Sequence, residues 1–107
     1  MTFNGKVSDF KSKDNEFSSK KFDGTVWTEF EKKGNKPASL KVDAKCAKGG
    51  LHITIQLEGS AEPVKTINFV GSYHETISLD DDYGDGAYKI TATAKNAEDV
   101  AVKYEFA

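Results

Sequence analysis

The sequence contains little cysteine and little proline, and it lacks any long apolar run. Its 107 residues include a single cysteine, Cys46, and two prolines. One cysteine cannot form a disulfide within the chain, so we expect Cys46 to be a small buried apolar residue. No run of about 18 apolar residues is present, so the sequence predicts no transmembrane segment. A domain of this length buries enough surface to form a core without metals or disulfides.

A strong net charge is also missing. The chain has 17 acidic and 15 basic residues, for a net charge of −2. This balance produces no long-range field, so nucleic acid is not among the expected partners. Lysines are nevertheless concentrated in the N-terminal half. They either orient the domain on an anionic wall polymer or membrane surface, or form the solvated outer face of edge strands, which we favour. The residues are Lys11, Lys13, Lys20, Lys21, Lys32, Lys33 and Lys36.

What the sequence has instead is a regular alternation of apolar and polar residues after about residue 38. A period of two sends successive side chains to opposite faces of a strand, one buried and one exposed to water. The earlier segment TVWTEF is rich in β-branched and aromatic residues and is interpreted as a strand, although its apolar spacing also fits one face of a helix. Strands are predicted at 25–31, 40–46, 51–57, 64–70, 73–79, 88–94 and 100–106.

Glycine, asparagine and aspartate mark the connections between these strands. The glycine pair at positions 49 and 50 suits a hairpin turn, and 80–86 is the most turn-like stretch. No helical pattern is long enough to connect parallel strands, so the sheets should be antiparallel. We therefore predict an all-β fold, a single-domain antiparallel β-sandwich of about seven strands over 16–107. Residues 1–15 are predicted to be a flexible N-terminal arm or linker.

The C-terminal part carries a resemblance to a known fold family. Residues 85–94 read DGAYKITATA, and KNAED and a final alternating strand follow. This pattern resembles the last hairpin of bacterial immunoglobulin-like and fibronectin-III-like modules. The resemblance implies an immunoglobulin-like layout in which the hydroxyl of Tyr88 folds back onto the preceding connection, the contact known as the tyrosine corner. The layout is also similar to small secreted or lipid-anchored proteins of Gram-positive bacteria.

The acidic segment at 80–85 is the candidate metal site. Calcium binds several carboxylate oxygens at once, and four aspartates lie within six residues here, although the EF-hand spacing is not met. The alternative, which we favour, is a solvated acidic turn whose aspartates cap backbone groups. A calcium-stabilised structural domain is therefore one functional hypothesis, with no other cofactor expected. The candidate ligands are Asp80, Asp81, Asp82 and Asp85.

The aromatic residues supply the candidate ligand-binding site. If Val26 faces inward, Trp27 has the opposite parity and faces outward, where it could offer a sugar-stacking platform. The alternative, which we favour, is that Trp27 closes a second layer of packing or lies under the N-terminal arm. Tyr73 and Tyr83 are the exposed tyrosines expected to accompany it. Five phenylalanines are expected in the core: Phe17, Phe22, Phe30, Phe69 and Phe106.

No catalytic motif is recognisable. The two histidines, His52 and His74, are far apart in sequence and have no identifiable third partner, so we expect no enzyme. By the resemblance, the chain is a monomeric, non-enzymatic binding or spacer module of a bacterial secreted protein or lipoprotein, with its export signal removed. Its partner would be a protein or glycan at the cell surface. The alternative function is a small carbohydrate-binding domain that uses Trp27, Tyr73 and Tyr83.

Overall fold

The protein folds into six antiparallel strands in a computed structural model that describes residues 1–80 and 83–107. Four of the strands are unusually long, and the described residues include no helix. Among the described residues there is therefore no helix that is long and apolar enough to cross a membrane. The strands are β1 (Thr2–Ser8), β2 (Lys11–Lys13), β3 (Glu16–Lys32), β4 (Ser39–Leu57), β5 (Lys65–Ser78) and β6 (Gly86–Phe106).

All six strands belong to one hydrogen-bonded sheet. The strand order is β1, β3, β6, β4, β5, and the short β2 pairs with the beginning of β3. Strands β6 and β4 therefore lie in the centre of the sheet, while β5 forms one edge and β1 and β2 form the other.

The long strands fold back on themselves and convert this sheet into a sandwich. The 21 residues of β6 would extend about 70 Å if straight, yet the longest dimension of the molecule is 39 Å. Phe30 pairs with Tyr88 near the start of β6, and its ring centroid lies 4.9 Å from that of Phe106 at the end of β6. The two ends of the strand therefore face each other across the core. The first layer contains 16–22, 39–46, 71–78 and 98–106, and the second contains 24–32, 51–57, 65–69 and 86–94.

The bends lie at irregularities in strand pairing. The register shifts between Cys46 and Leu51 of β4, where Gly49 adopts a φ of +93°. A Cβ on Gly49 would lie 2.8 Å from the Cα of Ala97 on β6, so only glycine fits this close approach. The hairpin turn predicted at the glycine pair, Gly49 and Gly50, is thus wrong. The segment is a bulge inside one continuous strand, and it changes which residues face inward from even to odd numbers.

Continuous strands also explain why the structure has six strands where the sequence predicted about seven. The pairs 40–46 with 51–57, 64–70 with 73–79, and 88–94 with 100–106 are each the two halves of one strand. The predicted all-β antiparallel sandwich is confirmed, as is the strand at 25–31, which lies inside β3. The finer immunoglobulin-like layout is not specifically supported, because the same strands here contribute to both layers.

The N-terminal segment lies in the sheet. The sequence predicted a flexible arm or linker over 1–15, but the structure pairs β1 along its whole length with β3. Its aromatic side chains account for this placement. The rings of Phe3 and Phe10 are 5.1 Å apart, and Phe10 stacks at 6.1 Å on Phe17, which is buried in the core. Removing these apolar rings from water favours the ordered state of the segment.

The core contains the inward-facing residues of both layers. Cys46 is fully buried, as predicted, and its Sγ donates a hydrogen bond to the carbonyl oxygen of Lys48 at 3.1 Å. Of the phenylalanines expected in the core, Phe17 and Phe22 are buried, and the other three are partly buried and pack against it. The hydroxyl of Tyr88 donates a hydrogen bond of 2.6 Å to the carbonyl oxygen of Gly84. The contact that the resemblance implied for Tyr88 is therefore confirmed.

Candidate functional site

Trp27 lies on the outer surface of the second layer, as its parity predicted. It follows Val26, which is buried in the core, so the alternation along β3 turns the indole outward. The side chain is partly exposed and is flanked on the two neighbouring strands by Thr2 of β1 and Thr91 of β6. Trp27 is thus an accessible aromatic residue within a regular sheet surface.

The surroundings of Trp27 are rich in neutral hydrogen-bonding groups. Two neighbouring rows of cross-strand partners run over β1, β3, β6, β4 and β5. The first row consists of Thr2, Trp27, Thr91, Thr54 and Thr66. The second row consists of Asn4, Thr25, Thr93, His52 and Asn68. The hydroxyls of Thr25 and Thr93 are 3.3 Å apart, and Nδ1 of His52 is hydrogen-bonded to Oδ1 of Asn68. We call this surface the tryptophan face and define it by the outward residues Thr25, Trp27, Glu29, His52, Thr54, Gln56, Lys89, Thr91 and Thr93.

A charged and polar groove lies at one end of the tryptophan face. Nζ of Lys89 lies 4.7 Å from the centroid of the Trp27 ring, within cation–π distance. Lys89 and Thr91 also line a groove of about 360 Å³ together with Glu29 and Gln56. This volume is at the lower end of the range for small-molecule sites. The groove therefore places a carboxylate, an amide, a hydroxyl and an ammonium group beside one aromatic ring.

Tyr73 lies at the other edge of the sheet, on β5. It faces the space between the layers, where its ring stacks on Phe69 at 5.4 Å and its hydroxyl donates a hydrogen bond to Glu75. Nζ of Lys65, in the second layer, forms a 3.0 Å ion pair with Glu75 in the first. Burial, followed by the hydrogen bond to Glu75, raises the pKa of Tyr73 to about 12. The hydrogen bond from Tyr73, and then Lys65, lowers the pKa of Glu75.

Tyr83 is buried and does not offer the exposed ring that the sequence predicted. Its side chain is 5% exposed, and its ring centroid lies 5.8 Å from that of Tyr88. Tyr83 also lines a groove of about 530 Å³ together with Lys65 and Glu75. The apolar surface of Tyr83 completes the core at this end of the sandwich, which explains its burial.

The three predicted aromatic residues therefore do not form one site. Tyr73 and Tyr83 both lie at the β5 side, connected through Glu75, whereas Trp27 is three strands away in the sheet order. Glu29, Lys89 and Gln56 form the row next to that of Trp27, but they were not among the residues predicted from the sequence. Their outward parity was visible in the sequence, but their proximity to Trp27 depends on the pairing of β3 with β6 and of β6 with β4.

The acidic segment is only partly described by the structure. Asp81 and Asp82 lie outside the described residues. Asp80 is exposed, and Oδ1 of Asp85 accepts a 2.8 Å hydrogen bond from the backbone N–H of Gly34. No group of three or more metal-binding side chains occurs within 1–80 and 83–107. The calcium site therefore stays a prediction.

The two histidines are exposed, and they lie in different layers. His52 belongs to the tryptophan face, and His74 lies on the outer surface of the first layer, where its Nδ1 is 2.7 Å from Oδ1 of Asp43. The pKa of Asp43 is lowered by this hydrogen bond first and by Lys41 to a smaller extent. The described hydrogen-bond partner of His52 is Asn68, and that of His74 is Asp43.

Comparisons with known proteins define the class of fold. No family model and no curated protein matches this sequence. Among solved structures, a family 4 carbohydrate-binding module (CBM4) is similar over 95% of this chain and 75% of its own, with 13% identity and a TM-score of 0.53. An active-site mutant of a family two carbohydrate esterase from Clostridium thermocellum is similar over 99% of this chain, with 14% identity and a TM-score of 0.53.

At such low identities these likenesses show the fold, and the chain spans only 30% of the esterase. The chain therefore shares the all-β sandwich architecture of these proteins.

Proposed function

We propose that this protein is a non-catalytic carbohydrate-binding module and that a neutral oligosaccharide binds on the tryptophan face. The observation that carries the proposal is the partly exposed indole of Trp27, surrounded by outward hydroxyl and amide groups. One side of a pyranose ring presents C–H groups that pack on an aromatic face, while its hydroxyls need hydrogen-bond partners around the ring. The tryptophan face combines both requirements.

The groove beside Trp27 supplies the polar contacts. The carboxylate of Glu29 accepts hydrogen bonds, Lys89 donates them, and the amide of Gln56 does both. Lys89 lies over the indole in the free protein, so a sugar that stacks on this side of the ring displaces the ammonium toward the sugar hydroxyls. Two carbohydrate-related structural neighbours support the same class of ligand.

The proposal includes a binding role without catalysis and a location outside the cell. The dispersed histidines support the first, because His52 and His74 lie on the surfaces of different layers. The location outside the cell follows from the proposed ligand, since a module that binds a polysaccharide has to act where that polymer is found. The proposed partner is then a glycan, one of the two kinds of partner expected from the sequence.

The test is a titration of the purified protein with neutral hexasaccharides of different linkage: β-1,4-glucan, β-1,3-glucan, xylan and mannan. Trp27 is the only tryptophan, so its fluorescence should change on binding, and calorimetry should give the affinity. We expect Trp27→Ala to weaken binding at least about tenfold, as for an aromatic residue at the centre of an interface. Trp27→Phe should retain part of the affinity because it keeps a ring.

Tyr73→Phe is the matched control at the β5 side. It removes one hydroxyl from the other aromatic surface and should leave the affinity unchanged. The proposal is wrong if no hexasaccharide binds at millimolar concentration, or if Trp27→Ala binds as tightly as the original protein. Loss of binding in Tyr73→Phe alone would move the site to the β5 side.

A further inference from the structure

A second groove lies on the outer surface of the first layer, away from Trp27. It has a volume of about 570 Å³, and β2, β3, β6, β4 and β5 all contribute to its lining. Its shape follows from the side chains that face outward here. The row that crosses the strands through its centre reads Lys11, Ser18, Ala101, Lys45, Ser72.

The protein surface is depressed along the middle of this row because the side chains there are small. Ser18 and Ala101 lie side by side on β3 and β6, and Ser72 lies beyond Lys45 on the edge strand. The next row along the strands carries only longer or ring-bearing side chains: Lys13, Glu16, Lys103, Asp43, His74. The small residues therefore form the floor of a trough that crosses the strands, and the longer row forms one wall. We call this feature the lysine trough.

The charges around the lysine trough are unequal. Lys11, Lys13 and Lys45 are exposed, and none of them forms an ion pair with any residue that the structure describes. The acidic groups of the wall are partly neutralised, since Asp43 contacts both His74 at 2.7 Å and Lys41 at 3.7 Å. The negative charge of Glu16 offsets the positive charge of one of the lysines. The trough thus keeps an excess of positive charge in a protein whose net charge is −2.

The spacing of the lysines fits an extended ligand. Lys11 and Lys45 are separated by β3 and β6, which is three inter-strand steps or about 14 Å. A ligand along the floor would meet an ammonium at each end and the hydroxyl of Ser18 between them. A small anion could contact only one end, whereas a linear chain with repeated acidic groups reaches both.

We propose that the lysine trough binds a carboxylated polysaccharide, a chain of uronic acid sugars, as a second site independent of the tryptophan face. The carboxylates pair with Lys11 and Lys45, and the sugar rings lie over Ser18 and Ala101. Nucleic acid is the less suitable polyanion, because proteins that bind it usually carry a basic stripe and a high isoelectric point, whereas this protein has a net charge of −2. This proposal goes beyond the function proposed above and does not require it.

The experiment titrates the protein with hexagalacturonate at low salt and compares four variants. Lys11→Gln/Lys45→Gln should weaken binding about tenfold, since each exposed pair contributes about threefold. Ala101→Leu leaves the charge unchanged and fills the floor, so it should weaken binding by a similar factor. Lys33→Gln/Lys36→Gln removes the same charge from an exposed turn and should bind within about twofold of the original protein. Trp27→Ala should bind normally.

Three results would overturn the proposal. The first is no saturable binding of hexagalacturonate. The second is equal weakening by the two double lysine variants, or no effect of Ala101→Leu, because either result would mean diffuse charge attraction without a trough. The third is tighter binding of a short DNA duplex that the Lys11→Gln/Lys45→Gln variant loses. Because Trp27→Ala is measured with both ligands, failure of the lysine trough and failure of the tryptophan face are distinguishable.

Discussion

The two outer surfaces of the sandwich are made by the same strands but carry different chemistry. On β4 the outward residues of the first layer are Lys41, Asp43 and Lys45, whereas those of the second are His52, Thr54 and Gln56. On β6 the same contrast appears, with Ala101, Lys103 and Glu105 in the first layer and Lys89, Thr91 and Thr93 in the second. The first surface is charged and crossed by ion pairs, and the second is mainly neutral and surrounds an indole.

This contrast shows that one bent strand can contribute to two outer surfaces of different chemistry. Each half keeps its apolar residues inward, so the core does not restrict which polar residues face outward. Ion pairs such as Lys103 with Glu105 at 3.0 Å occupy part of the first surface, while threonine rows make most of the second surface neutral. Two different ligand chemistries are the expected result, and the two layers can be compared directly by mutation.

The largest effect is expected at the bend that separates the two surfaces. Gly49→Ala places a Cβ 2.8 Å from the Cα of Ala97 at a φ of +93°. We expect the free energy of unfolding to fall by about 2–4 kcal/mol, because both backbone strain and a backbone clash result. Urea denaturation followed by tryptophan fluorescence measures this change.

Gly59→Ala is the matched control for the bend. Gly59 has a φ of +85°, but nothing lies within 4 Å of the position that a Cβ would take, so only the backbone cost of about 1 kcal/mol remains. Equal losses in the two variants would show that the close approach of β4 to β6 contributes nothing beyond the glycine conformation.

Two tyrosines at opposite ends of β6 give the next comparison. Both face the core, but the hydroxyl of Tyr88 in the second layer donates to Gly84, whereas the buried hydroxyl of Tyr104 in the first layer has no hydrogen-bond partner among the described residues. Burial raises the pKa of each hydroxyl, with a further contribution from Asp85 at Tyr88. Substituting each tyrosine thus compares a hydroxyl that is hydrogen-bonded with a buried hydroxyl that has no partner among the described residues.

We expect Tyr88→Phe to reduce the free energy of unfolding by about 1–2 kcal/mol, because it leaves the carbonyl of Gly84 without its donor. Tyr104→Phe should be neutral or slightly stabilising, since it removes a polar group that was buried without compensation. Thermal or urea denaturation of both variants measures the difference. A loss in Tyr104→Phe as large as that in Tyr88→Phe would mean that the Tyr104 hydroxyl is hydrogen-bonded in solution.

The sequence predicted the parts of this fold that depend on local alternation and missed those that depend on where strands bend. Val26 inward and Trp27 outward follow from a period of two, and so do the buried rows of β4 and β6. The bend around Gly49 and Gly50 was interpreted as a hairpin, because a glycine pair with positive φ suits both a turn and a bulge. Local composition does not distinguish the two.

The same limit applies to the candidate site. The outward parity of Trp27 was predictable from the sequence, but its contact with Lys89 depends on the register of β3 with β6, a pairing of residues far apart in the chain. Tyr83 was expected to be an exposed tyrosine, yet its ring centroid lies 5.8 Å from that of Tyr88. Both outcomes depend on the packing of side chains in three dimensions, which an alternation pattern does not describe.

The smallest expected effect concerns the ion pair that connects the layers at the β5 side. The pKa of Glu75 is lowered first by the Tyr73 hydroxyl and then by Lys65. A lowered pKa in the folded state gives a stabilisation that is fully present above the ordinary glutamate pKa and is lost as the pH falls through the lowered value. Tyr73 has the opposite shift, so its contribution is present below the ordinary tyrosine pKa and is lost as the pH rises toward about 12.

Glu75→Gln should therefore cost at most about 1 kcal/mol at neutral pH, because the side chain is 31% exposed and solvent screens the pair. The difference from the original protein should disappear in acid, where Glu75 is protonated in both states. Glu105→Gln is the matched control: its ion pair with Lys103 lies within the first layer, so it does not connect the layers. If Glu75→Gln destabilises the protein equally at neutral and acidic pH, the residue acts through packing, and the charge contact between the layers contributes nothing.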